Sequence, residues 1–143
     1  MLVHGTTVLV EDCGVLLRGR EGAGKSDLAL QLIDRGALLV ADDQTRLFPD
    51  GDRIMASVPA AIAGLIECRG MGLVKLDHRS PAQLALVIDL VPAEQVERLP
   101  MPAFVNYFGL AVPFLRLDPF TASAAAKVRL AVDLLKRDKQ LAT

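Results

Sequence analysis

Residues Gly19, Arg20, Glu21, Gly22, Ala23, Gly24, Lys25 and Ser26 spell a complete G-x-x-x-x-G-K-[ST] motif. Three glycines let the backbone curl tightly enough to aim its N–H groups at phosphate oxygens. Lys25 adds a positive charge for the outer phosphates of a nucleotide, and the Ser26 hydroxyl is a ligand type suited to Mg²⁺. Next come two adjacent carboxylates, Asp42 and Asp43, at the end of an apolar run. Beside a nucleotide, such a pair could hold Mg²⁺ through water or take the proton of an incoming hydroxyl. On a regular strand the two would point to opposite faces and have different tasks, unless the strand has already ended. A turn start or a helix cap would also use them.

A third group is Glu67-Cys68-Arg69-Gly70-Met71-Gly72. Glu67 as a metal or hydroxyl ligand and Arg69 as a phosphate clamp are its chemical readings. A surface turn with a Glu–Arg ion pair accounts for the same residues. His4 precedes Gly5 and a β-prone run, a position where a histidine is usually incidental. Arg116, near a strand end, could reach phosphate or a partner, although an exposed strand-end arginine is commoner.

The elements that must position these groups can be read from periodicity. Residues 7–10 and 15–17 are β-prone runs joined by a hairpin or tight turn over 11–14. From 25 to 35, Leu28, Ala29, Leu32 and Ile33 recur at helical spacing, with Gly36 placed to end the helix. Residues 38–41 form a short continuous apolar run, the pattern of a strand buried on both faces. In open α/β sheets ligands gather at strand ends, so Asp42 and Asp43 should face the same crevice as the glycine loop. Residues 45–48 and 53–58 flank the turn cluster Pro49-Asp50-Gly51-Asp52 and predict an antiparallel pair. Residues 73–76, 84–91 and 111–117 predict further strands, and 92–102 a connection with one helical turn. Asp118-Pro119 predicts the start of a terminal helix whose Val128, Ala131, Val132 and Leu135 share one face.

Composition bounds the function. The chain has 143 residues, about half of them apolar, with 16 basic and 17 acidic side chains. A nucleic-acid role predicts a basic surplus or run, and neither occurs. No stretch reaches the length of a membrane span, and the first residues lack the pattern of a signal peptide. Cys13 and Cys68 have no metal-ligand spacing and read as thiols in a reducing cytoplasm.

Together these segments resemble the catalytic domain of HPr kinase/phosphorylase. The resemblance rests on His4-Gly5-Thr6, the loop at 19–26, Asp27-Leu28-Ala29-Leu30 into Asp34-Arg35-Gly36, Leu39-Val40-Ala41-Asp42-Asp43, and Leu65-Ile66 into the Glu67–Gly72 segment. It is dense from residue 4 to about residue 76 and loose beyond. It implies an α/β fold over residues 1–143: one P-loop kinase domain with a mixed β-sheet core, a P-loop helix and a C-terminal helix, of the phosphoenolpyruvate carboxykinase-like kind. It further implies a serine kinase, and a phosphorylase, acting with ATP and Mg²⁺ on a small HPr-like phosphocarrier of the phosphotransferase system. By the same resemblance Asp42 is the base and acid, with Asp43 beside it; His4 lines the phosphate site; Lys25 holds phosphate; Ser26 and Glu67 bind the metal. The resemblance is to a short form without the family's N-terminal domain, and to proteins that form hexameric rings. Where the family has a Pro-Val-Arg-Pro-Gly-Arg-Asn segment, this chain reads Val112-Pro113-Phe114-Leu115-Arg116-Leu117-Asp118-Pro119, with Arg116 replacing one arginine. The loop by itself also admits a small-metabolite kinase, a nucleotide hydrolase, or a sensor that binds nucleotide without turnover.

Overall fold

The computed structural model describes residues 1–141. Strands β1 (Leu2–Val10) and β2 (Cys13–Arg18) form an antiparallel hairpin, with Val10 opposite Cys13. Glu11 and Asp12 alone join them, with φ of 47° and 68°. Two successive left-handed residues make a type I′ turn, whose twist matches that of the strands. The link is thus shorter than the sequence suggests, because Cys13 and Gly14 already belong to β2.

After the glycine loop, α1 (Lys25–Asp34) buries Leu28, Ala29 and Leu32. It ends as predicted: the Gly36 N–H donates to the Ile33 carbonyl and the Ala37 N–H to the Leu32 carbonyl, each at 3.0 Å. Gly36 has φ 106°, so this is a Schellman cap in which glycine avoids a Cβ penalty. Strand β3 (Leu38–Ala41) returns antiparallel to β1. Strands β4 (Gln44–Asp50) and β5 (Arg53–Ser57) pair antiparallel across Gly51-Asp52. Strands β6 (Leu65–Cys68) and β7 (Gly72–Lys75) form a separate two-stranded hairpin. Then follow β8 (Ala82–Leu90), β9 (Ala103–Tyr107), β10 (Leu110–Leu117) and α2 (Ala124–Leu141).

The main sheet is mixed. β2 and β10 each run parallel to β8, whereas β1–β2, β1–β3 and β9–β10 are antiparallel. The first residues of β1 and of β8 also pair with β4 and β5, so the sheet folds back on itself. Two main hydrophobic layers result, with a smaller cluster of Leu9, Val40 and Ala82 beside them. One contains Val15, Leu17, Leu86 and Ile88 with Leu28 and Leu32 of α1 and Val128 and Val132 of α2. The other sets Leu16, Val87, Val112 and Phe114 against Leu47 of β4 and Ile54 of β5. A register shift between Gly14 and Val15 brings Leu84 and Leu86 to different layers, as one extra residue in a strand should.

Two expectations change. Residues 103–107 lie outside the predicted strands, yet β9 forms there as an edge strand with Phe104 outward. Asp118-Pro119 does not begin the terminal helix. The Asp118 Oδ1 accepts the Phe120 N–H at 3.0 Å, a local turn that competes with helix, and α2 starts only at Ala124.

Candidate functional site

Strand β2 ends at Arg18 and the chain enters the glycine loop, where Gly22 and Gly24 have φ of 81° and 97°. Such values are costly for any residue with a Cβ. Gly24 caps α1, its carbonyl accepting the Leu28 N–H at 3.0 Å. The Lys25 side chain curls over the loop, and its Nζ donates to the Gly19 carbonyl at 2.6 Å and the Arg20 carbonyl at 2.9 Å. An ammonium has three protons, so one is left for an anion. The N-terminus of α1 adds its dipole to that preference.

Asp42 and Asp43 follow the end of β3, and they diverge. Asp42 is buried, 7% exposed. Its Oδ1 accepts the Thr6 hydroxyl at 3.0 Å and the Ser26 hydroxyl at 2.7 Å, and its Oδ2 accepts the Glu67 N–H at 2.9 Å. Asp43 has φ 64°, a left-handed conformation rare outside glycine. Its N–H donates to the Thr6 hydroxyl at 3.1 Å, and its carbonyl accepts the Gly5 N–H at 2.8 Å. Held this way, its carboxylate stands exposed, 3.5 Å from His4 Nε2.

A cleft of about 350 Å³ collects these groups. His4, Glu21, Gly22, Gly24, Lys25, Ser26, Asp43, Glu67 and Arg69 line it, together with Asp27 and Phe120. Asp42 is not part of its wall; it reaches the cleft only through Ser26 and Glu67. The Ser26 proton is committed to Asp42, which turns the oxygen's lone pairs free for a cation. Among the described residues no ion pair joins Glu67 to Arg69, and both face the cleft. Arg116 does not. It lies over the Phe114 ring, 5.1 Å from its centroid, beside a separate groove with Glu97 and Met101.

Thr6 and Phe120 carried no functional reading in the sequence. Thr6 shares its face of β1 with His4 and with the core residues Val8 and Val10, and it is fully buried. Arg18 was also missed. It makes two hydrogen bonds to Asp89, at 2.7 and 3.1 Å, and one to the Tyr107 hydroxyl at 2.9 Å. Burial alone would lower the Arg18 guanidinium, but Asp89 and Tyr107 outweigh it and hold it above its ordinary value. This cluster ties β2, the strand that delivers the loop, to β8 and β9.

Comparison with known proteins agrees with the mixed α/β architecture. The family model described as "HPr Serine kinase C-terminal domain" matches residues 1–118. The chain belongs to this family. It is 39% identical over 108 residues to an HPr kinase/phosphorylase of Geobacillus kaustophilus, covering 68% of this chain and 35% of the relative. With the HPr kinase/phosphorylase of Geobacillus thermodenitrificans the identity is 40% over 111 residues, with the same coverages, 68% and 35%. The chain thus spans about a third of the length of these curated relatives. A solved structure of the Hpr(Ser) kinase/phosphatase from Coxiella burnetii superposes with a TM-score of 0.80 at 26% identity, covering 99% of this chain and 97% of that one.

Proposed function

We propose that this chain is the catalytic part of a protein-serine kinase that uses ATP and Mg²⁺, with a small HPr-like phosphocarrier as acceptor and phosphorolysis as the reverse reaction. The observation that carries the reading is the convergence of Lys25, Ser26, Asp43, Glu67 and Arg69 on one cleft. Membership of the HPr serine kinase family and the names of the relatives support the acceptor. The glycine loop acts as a P-loop: its amides and the Lys25 ammonium hold the outer phosphates, and Arg69 adds a second positive charge.

The two aspartates then divide the work differently from the expectation that made Asp42 the base. Asp43 is the carboxylate open to an incoming hydroxyl, so it accepts the seryl proton as the seryl oxygen attacks the γ-phosphorus and ADP leaves. His4 steadies it. Asp42 orients Ser26 and the backbone at Glu67. Ser26 and Glu67 are the residues that would hold Mg²⁺, both offering the hard oxygen ligands it prefers. The metal's contribution there is to neutralise charge on the phosphates. In reverse, Asp43 returns a proton to the seryl oxygen as inorganic phosphate takes the phosphoryl group and forms pyrophosphate.

The same reading makes residues 1–143 one P-loop kinase domain of the phosphoenolpyruvate carboxykinase-like kind, working in the cytoplasm. The order β2, glycine loop, α1 supports it. Assembly into hexamers follows from the family resemblance alone. The test is transfer of label from γ-labelled ATP to a serine of HPr, followed by a chase with inorganic phosphate. Labelled HPr that releases labelled pyrophosphate is expected. No labelled serine would overturn the kinase, and label that resists the chase would remove the phosphorylase.

A further inference from the structure

A second cavity, of about 440 Å³, adjoins the lysine-lined cleft. The two share Glu21, Gly22 and Phe120 as common wall. Their linings differ in kind. Charged groups dominate the first, whereas Leu90, Val91, Pro92 and Pro119 give the second an apolar surface, with Arg20 and Asp118 among its polar members. Its volume lies in the ordinary range for small-molecule sites, roughly 300–1,000 Å³. Phe120 stands where they meet, and it is 72% exposed.

That exposure is built rather than accidental. The Phe120 N–H is fixed on Asp118 Oδ1, so the turn cannot carry the ring away. The ring also lies against the loop: a Cβ added at Gly24 would come within 3.2 Å of Phe120 Cζ and of Pro119 Cγ. A large aromatic face is therefore presented to solvent while its edge is anchored on the phosphate-binding backbone. The family match ends at residue 118, so Phe120 lies beyond the matched residues.

We propose that Phe120 is the platform on which the heterocycle of a nucleotide stacks, with the second cavity taking the nucleoside and the first its phosphates. The proposal rests on the nucleotide reading above and adds to it the place of the base. A ligand with a charged tail and a flat, weakly polar ring matches the two linings in order. Every nucleobase has a π-face, so stacking here distinguishes nucleotides from bare polyphosphates more than one base from another.

Calorimetric titration of the 143-residue chain with ATP and with inorganic tripolyphosphate, both with Mg²⁺, separates the two readings. Phe120→Ala should weaken ATP by about tenfold, the scale of a lost base–aromatic stack. Tripolyphosphate affinity should stay unchanged. Phe120→Trp should keep ATP affinity, and its indole fluorescence should be quenched by ATP and not by tripolyphosphate. Unchanged ATP affinity in Phe120→Ala would overturn the platform. So would an equal loss for both ligands, which marks a ring that only shapes the loop. A wild-type chain that binds neither ligand would overturn the nucleotide reading and the platform with it.

Discussion

Asp42 and Asp43 are the same side chain on successive residues, and the backbone between them decides which one faces the cleft. The strand ends at Ala41, so the alternation that would set the two on opposite faces no longer applies. What replaces it is the left-handed turn at Asp43, pinned on both sides by Thr6 and Gly5. A non-glycine residue kept in that region marks a constraint that its neighbours over-determine. Asp43→Asn should therefore lower phosphoryl transfer by about 10²- to 10⁴-fold, the usual scale for a lost general base, and leave ATP affinity nearly unchanged. Asp42→Ala should act through structure instead. It strands the Thr6 and Ser26 hydroxyls and the Glu67 N–H, at a cost of about 2–4 kcal/mol read by urea unfolding. Full stability in Asp42→Ala, with activity retained in Asp43→Asn, would return the base to Asp42. Residue types alone located both carboxylates. Their division depends on a φ angle that no pattern of residue types encodes.

The elements were legible where local chemistry decides them and obscure where partners do. Helix α1 was readable from both ends, because the glycine loop starts it and Gly36 closes it with two specific hydrogen bonds. Strand β9 was not, because an edge strand with Phe104 outward breaks the polar-out alternation that announces a strand. Helix α2 was placed too early because Asp118 looks like a cap; its carboxylate serves the turn that holds Phe120. The β1–β2 hairpin offers a test at this scale. Its Glu11-Asp12 turn needs two left-handed residues, and neither is the pairing that suits them best. Glu11→Asn with Asp12→Gly supplies the favoured Asn-Gly and should raise stability by about 0.5–1 kcal/mol in denaturant unfolding. The Lys136 Nζ bond to the Glu11 carbonyl, 3.1 Å, survives the change, and the ion pair of Lys136 with the Glu11 carboxylate, 3.9 Å, is lost at little cost because both groups are exposed. A drop in stability would show that the turn is not type I′.

For the molecule as a whole, the cleft exists only when distant segments meet. His4 comes from β1, Lys25 from α1, Asp43 from the turn after β3, Glu67 from the small hairpin and Phe120 from the turn before α2. The parallel pairing of β2 with β8, which anchors the loop strand, joins residues about seventy positions apart, as Arg18 opposite Asp89 shows. Such closure leaves no local trace, so the sequence yielded the groups at the site and not the sheet that assembles them. A ligand that spans these segments binds the folded chain and not the unfolded one. At about 100 times its dissociation constant, ATP with Mg²⁺ should therefore add about 2.7 kcal/mol of stability. For a chain of this size that is a rise in Tm of about 9 °C by differential scanning fluorimetry. Chelating the metal should remove much of the shift. Ser26→Ala and Glu67→Gln should each reduce the Mg²⁺-dependent part, because the first removes an oxygen ligand and the second the negative charge of one, while leaving the Lys25 contribution in place. The same rise with and without chelator, in the wild type and in both variants, would mean that the phosphates are held by Lys25 and the loop alone, and would take Ser26 and Glu67 out of the metal site.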